Sequence, residues 1–134
     1  LFTCEEERRV AQRSFAPYRA NEAVVAFGTA APPTDAALQR ASFFARYPQL
    51  AGRRLLTFLG RIHPKKGVDL LVAAFAGIAR AVPEVSLVIA GPDPDSHGEP
   101  LRAAVAASGL DDRIVWTGML RDDAKWGALR ASEA

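Results

Sequence analysis

An apolar run closed by a glycine, then a basic loop, then a second glycine opening a helix, constrains this chain more than any other stretch. It is Arg54–Gly67, RLLTFLGRIHPKKG. Leu55, Leu56, Phe58 and Leu59 are nearly continuous, with Thr57 among them, as in a strand buried on both faces of a parallel sheet. Gly60 ends the strand, Pro64 keeps the loop from turning helical, and Gly67 precedes the next helix. Arg61, Lys65 and Lys66 stand between the glycines. A strand's carboxyl end facing a helix amino terminus is where α/β sheets bind anions. The stretch therefore reads as a site for a phosphorylated ligand, with solvation of an ordinary loop as the alternative. Six residues separate Gly60 from Gly67, so neither a G-x-G-x-x-G fingerprint nor a G-x-x-x-x-G-K-[ST] loop is present. Recognition would rest on side-chain cations.

The other elements follow in alternation. Thr3 and Glu6 have capping-box spacing, predicting a polar helix over 4–14. Ala23–Phe27 (AVVAF) reads as a short strand, and Thr29–Pro33 as a linker. Thr34 or Asp35 caps a helix to about Tyr47, with Leu38, Phe43 and Tyr47 as buried contacts. Beyond the basic loop, Val68, Leu71, Phe75, Ile78 and Val82 recur at helical spacing. Val85–Ala90 is a second buried strand. A helix runs from Pro100 to Gly109 with Leu101, Ala104 and Val105 inward. Ile114–Thr117 is a third strand, closed by Gly118. Asp122 or Asp123 opens a last helix that packs through Trp126 and Leu129. Strands alternating with helices predict a Rossmann-like α/β fold, half of a doubly wound parallel sheet. In the strand order 3-2-1-4-5-6 the Arg54–Leu59 strand is central, and its far-side partner is expected after Ala134. Its edge would then lie open, so self-association by edge pairing or by exchange of the segment before Pro32 is expected.

Composition narrows the function classes. The 134 residues carry a net charge of +2, with 49% apolar and 24% charged side chains, as ordinary globular domains do. Arg53 and Arg54 precede the strand that Arg61 follows, so the cations form no single stripe and nucleic acid is not the expected partner. One cysteine, Cys4, permits no internal disulfide and fits a reducing, cytoplasmic setting as an inert thiol. No stretch approaches the ~20 apolar residues of a membrane span. His97 with Asp93, Asp95 and Glu99 reads as a polar turn rather than a metal site. His63 reads as exposed filler, and Trp116 and Trp126 as core rather than base-stacking residues. Neither histidine builds a nucleophilic triad. The chain starts at Leu1, which suggests a piece of a longer protein.

The segments LLTFLGRIHPKKGVDLLVAAF, LVIAGPD and RIVWTGML together resemble the donor-binding domain of retaining GT-B glycosyltransferases, family 4 (group 1). LFTCEEERRVA and VVAFG resemble the close of that family's acceptor domain. The resemblance implies an acceptor-domain tail with linker over 1–33 and the first half of a nucleotide-sugar-binding domain over 34–134. It implies Arg61 and Lys66 on the donor diphosphate, with Gly60, Gly118, Met119 and Leu120 as further donor contacts. No cofactor or metal is implied, since the nucleotide-diphosphate-sugar is a substrate. The acceptor is left open, a membrane-associated one among the candidates. The family's E-x7-E carboxylates do not occur in these residues, so no catalytic residue is assigned and this chain alone is expected to be inactive. Two other classes compete: an NAD(P)- or other nucleotide-binding Rossmann domain, with Asp93 as the ribose acid, and a non-catalytic interaction module.

Overall fold

The computed structural model describes residues 1–28 and 30–134 and divides into two compact units, Leu1–Pro32 and Pro33–Ala134. In the first unit, helix α1 spans Glu5–Ser14. It starts one residue later than the capping-box spacing predicts. Thr3 donates from its N–H (2.6 Å) and hydroxyl (2.8 Å) to Glu7, not Glu6, while Glu6 pairs with Arg9. AVVAF does not form the expected strand. Val24 makes one isolated bridge to Phe2, with Phe2 N–H donating to Ala23 (2.9 Å) and Val25 N–H to Phe2 (2.8 Å). A lone bridge lacks the neighbouring ladder that would hold such a run extended.

The second unit is a three-layer α/β/α arrangement. Its elements are α2 (Ala36–Arg46), β1 (Arg54–Leu59), α3 (Val68–Ala81), β2 (Val85–Ala90), α4 (Glu99–Ala107), β3 (Ile114–Gly118) and α5 (Asp122–Ala131). The strands are parallel in the order β1-β2-β3, with Leu56 beside Leu87 and Leu87 beside Ile114. Alternation along β2 sorts the core into two. Val85, Leu87 and Ile89 face α3 and α4, with Val68, Val72, Phe75 and Val105. Val88 and Ala90 face α2 and α5, with Phe43, Leu50, Leu55, Ala124 and Ala128. All six β2 residues are buried, as a strand covered on both faces requires.

Of the two candidate caps, Thr34 and Asp35, it is Asp35 that caps α2, its carboxylate accepting from Leu38 N–H at 2.9 Å. Several inward faces differ from the predicted ones. Leu38 is exposed and Gln39 is buried in its place. In α3 the buried row is Val68, Val72, Phe75 and Ala79, while Ile78 points outward. The two readings differ by less than a third of a turn, and the sheet decides between them. Ala104 and Leu129 are also exposed, and α4 begins at Glu99 with Pro100 second. Small residues instead carry the packing of α5: Ala124, Gly127 and Ala128 are buried against α2. A Cβ on Gly127 would sit 2.1 Å from the Gln39 carbonyl oxygen and 2.7 Å from Phe43 Cβ, so only glycine permits this approach.

The far edge of β1 is not open. Ser132 bridges Leu55 in parallel, Glu133 N–H donates to Leu55 (2.9 Å), and Thr57 N–H donates to Ala134 (2.7 Å). Residues 132–134 thus lie where the partner strand was expected only after Ala134, and β1 has neighbours on both sides. Arg54 locks the segment through two 2.8 Å contacts to Glu133. The guanidinium holds the Glu133 carboxyl below the usual carboxylate range. The pair's stabilisation is therefore fully present above the usual carboxylate range and is gone only once pH has fallen below that range, through the depressed titration of Glu133. Arg53 and Arg113 hold the same amino end of the sheet, donating to Pro83 and Val82 carbonyls at 2.9 Å each.

Candidate functional site

The site is built where the three strands end. Gly60, Gly91 and Gly118 follow or close β1, β2 and β3 and are joined by backbone hydrogen bonds. Gly60 N–H donates to Ala90 at 2.9 Å, and Gly91 N–H to Gly118 at 2.8 Å. A Cβ on Gly91 would lie 1.8 Å from the Gly60 carbonyl oxygen, so this junction admits no side chain. Above it opens a cleft of about 230 Å³ lined by Leu59, Gly60, Arg61, Ala90, Gly91, Pro92, Met119, Leu120 and Lys125. It lies at the carboxyl edge of a parallel sheet, where such folds place their ligands.

Four residues singled out in the sequence meet in this cleft: Gly60, Arg61, Met119 and Leu120. Gly118 contributes the carbonyl that fixes Gly91. Lys66 is exposed on the 3-10 turn Pro64–Lys66 and does not line this cleft. Lys125 was missed, because a lysine in the first turn of an amphipathic helix reads as a solvated residue. Its ammonium lies 4.8 Å from the centre of the Trp126 ring, which steers it along the helix surface. Arg61 and Lys125 give the cleft two cations, Met119 and Leu120 an apolar wall.

A second cleft, of about 160 Å³, lies among Ile62, His63, Pro64, Val68, Asp69, His97, Pro100 and Leu101. His63 is half-buried rather than exposed filler. Its Nδ1 accepts from Lys65 N–H (3.2 Å), and its ring meets His97 edge-on at 5.2 Å. Asp93 turns inward, and its Oδ2 accepts from Gly98 N–H at 3.0 Å. One oxygen of that carboxylate is thus committed to the start of α4, while its Oδ1 is buried without a partner. Trp116 is half-buried beneath the Arg102 guanidinium, 4.2 Å from the ring centre. Among the described residues no three His, Cys, Asp or Glu side chains gather around one point. No helix of the described residues is long and apolar enough to cross a membrane.

The family profile described as glycosyl transferases group 1 matches residues 53–133, more than half of the chain. This chain belongs to the group 1 glycosyl transferases. The lipopolysaccharide core biosynthesis mannosyltransferase of Rhizobium leguminosarum bv. viciae is 35% identical over 58% of the chain and 23% of its own length. The GDP-mannose-dependent alpha-(1-6)-phosphatidylinositol monomannoside mannosyltransferase of Mycobacterium tuberculosis is 37% identical over 63% of the chain and 21% of its length. The chain spans about a quarter or less of the curated relatives it matches. Among solved structures, the C-terminal domain of a group 1 glycosyl transferase from Francisella tularensis superposes with a TM-score of 0.59. It is 21% identical and covers 76% of this chain and 52% of its own. Sucrose-phosphate synthase of Thermosynechococcus elongatus gives a TM-score of 0.67 at 20% identity, covering 93% of this chain and 31% of its own. Those superpositions establish the fold that this group 1 chain shares with GT-B carboxyl-terminal domains.

Proposed function

We propose that this chain supplies the donor-binding half-site of a retaining, family 4 glycosyltransferase, and that its ligand is a nucleotide-diphosphate-sugar. The observation that carries the reading is the glycine-floored cleft with Arg61 and Lys125 on its walls. A glycosidic bond to a diphosphate breaks with charge building on the leaving group, and fixed cations lower the cost of that charge. Arg61 offers a planar fork to two phosphate oxygens, and Lys66 a point charge from the neighbouring turn. Met119 and Leu120 give the nucleoside an apolar surface. The names of the Rhizobium and Mycobacterium relatives make GDP-mannose the first donor to try. The acceptor, a phosphatidylinositol monomannoside in the name of the Mycobacterium relative, would lie outside these residues. We place the activity in the cytoplasm.

The test is calorimetric titration with GDP-mannose, UDP-glucose, ADP-glucose and NAD. Arg61→Ala is expected to weaken nucleoside-diphosphate binding by roughly 1.5–3 kcal/mol, the loss of a charged hydrogen bond. An unchanged dissociation constant refutes the role of Arg61. Tighter binding of NAD than of any sugar nucleotide refutes the donor reading.

Binding without turnover is the companion expectation. No E-x7-E pair occurs in the 134 residues, so the purified chain should release no sugar from a radiolabelled donor to any acceptor. Transfer above the protein-free blank would show that the chemistry lies elsewhere in the chain.

A further inference from the structure

We propose that the outward face of α3 is a homotypic contact, at which a second copy of this chain docks with its own α3 antiparallel. A surface helix ordinarily turns polar residues to water. Helix α3, VDLLVAAFAGIARA, does not. Behind the buried row of Val68, Val72, Phe75 and Ala79, its outer face holds Leu70, Ala73, Ala74, Gly77, Ile78 and Ala81, all exposed. Leu70 is 72% exposed and Ile78 43%. The spacing places the six on one side of the helix.

Charge complementarity decides the occupant. Asp69 and Arg80 are the only charged side chains of α3, both are exposed, and neither has an ion-pair partner among the described residues. They stand about three turns apart, hence on the same flank of the apolar face. When two such helices pack antiparallel about a two-fold axis, like flanks meet. Asp69 of each copy then falls beside Arg80 of the other, twice over, whereas parallel packing would leave each copy's charges on the flank away from the other's. Size matches as well. Leu70 lies across from Ala81, Ile78 across from Ala73, and Ala74 meets Gly77 near the axis, so the backbones can approach closely. The isologous geometry is the commonest way for identical chains to associate. With residues 132–134 covering β1, pairing at that strand edge is not the route.

One helix pair buries less than a standard interface, so the dimer is expected to be weak, with dissociation near about 100 μM. Sedimentation velocity of the whole chain across concentrations on either side of that value reads it directly. Ile78→Glu should leave a monomer with an unchanged circular-dichroism spectrum, since Ile78 is not part of the core. Asp69→Arg and Arg80→Asp should each weaken association at least severalfold, and the two together should restore it. A monomer throughout the range overturns the proposal. So does a dimer that ignores Ile78→Glu, or a charge-reversed pair that fails to recover.

Discussion

Gly127→Ala is expected to destabilise the chain by about 1–3 kcal/mol, the cost of forcing one methyl into a filled core. The added Cβ would meet the Gln39 carbonyl at 2.1 Å and Phe43 Cβ at 2.7 Å, and both atoms belong to α2. Neither can swing aside, because the first is backbone and Phe43 is fully buried. The helices would have to part, unseating Ala124 and Ala128 as well. Arg40, which donates to the Arg130 carbonyl at 2.7 Å, would be drawn away with α2. Thermal unfolding should show a midpoint several degrees lower. Gly77→Ala supplies the contrast. Gly77 lies in the interior of α3, and a methyl added there would have nothing within 4 Å of it. Alanine at that position should raise stability by up to about 1 kcal/mol through helix propensity. Equal effects at the two sites would mean that α2 and α5 are not packed this closely.

Gly91→Ala should do more, because it strikes both the sheet and the cleft. A Cβ there overlaps the Gly60 carbonyl oxygen at 1.8 Å and its carbon at 2.6 Å, with Gly91 at φ +155°. Relief requires the ends of β1 and β2 to separate, which breaks the Gly60-to-Ala90 hydrogen bond. The expected loss is about 3 kcal/mol, the upper end of overpacking costs. Nucleotide binding should vanish even where the variant remains folded, since Arg61 follows Gly60 directly. Chemical denaturation and titration with GDP-mannose check the two parts separately. A variant that binds donor like the parent would remove the glycine junction from the site.

Neither glycine could be ranked this way from the sequence. Gly127 sits inside a helical pattern and reads as a mild liability, and Gly91 reads as a strand terminator like Gly60 or Gly118. What makes them irreplaceable is an atom far away in the chain: the Gln39 carbonyl for one, the Gly60 carbonyl for the other. Lys125 was hidden for a related reason. Its neighbours Asp122, Asp123 and Trp126 suggest an amphipathic helix start, and nothing local says that this turn stands over the ends of β1 and β2.

The order of strands and helices in the Pro33–Ala134 unit, a helix cap at Thr34 or Asp35 and the parallel character of the sheet were determined by the sequence alone. Each depends on residues within one or two turns of one another, or on a run too apolar to lie at a surface. AVVAF, equally apolar, did not become a strand, because a strand needs a ladder that local pattern cannot provide. The facing of α3, the small-residue seam of α5, and the seating of residues 132–134 beside β1 were decided only by tertiary structure. In each case two or more arrangements satisfy the local chemistry, and the contact that chooses among them comes from an element distant in the chain. The cleft has the same origin: its basic loop is legible in RIHPKKG, but its glycine floor and its second cation exist only once three strand ends and a helix start are brought together.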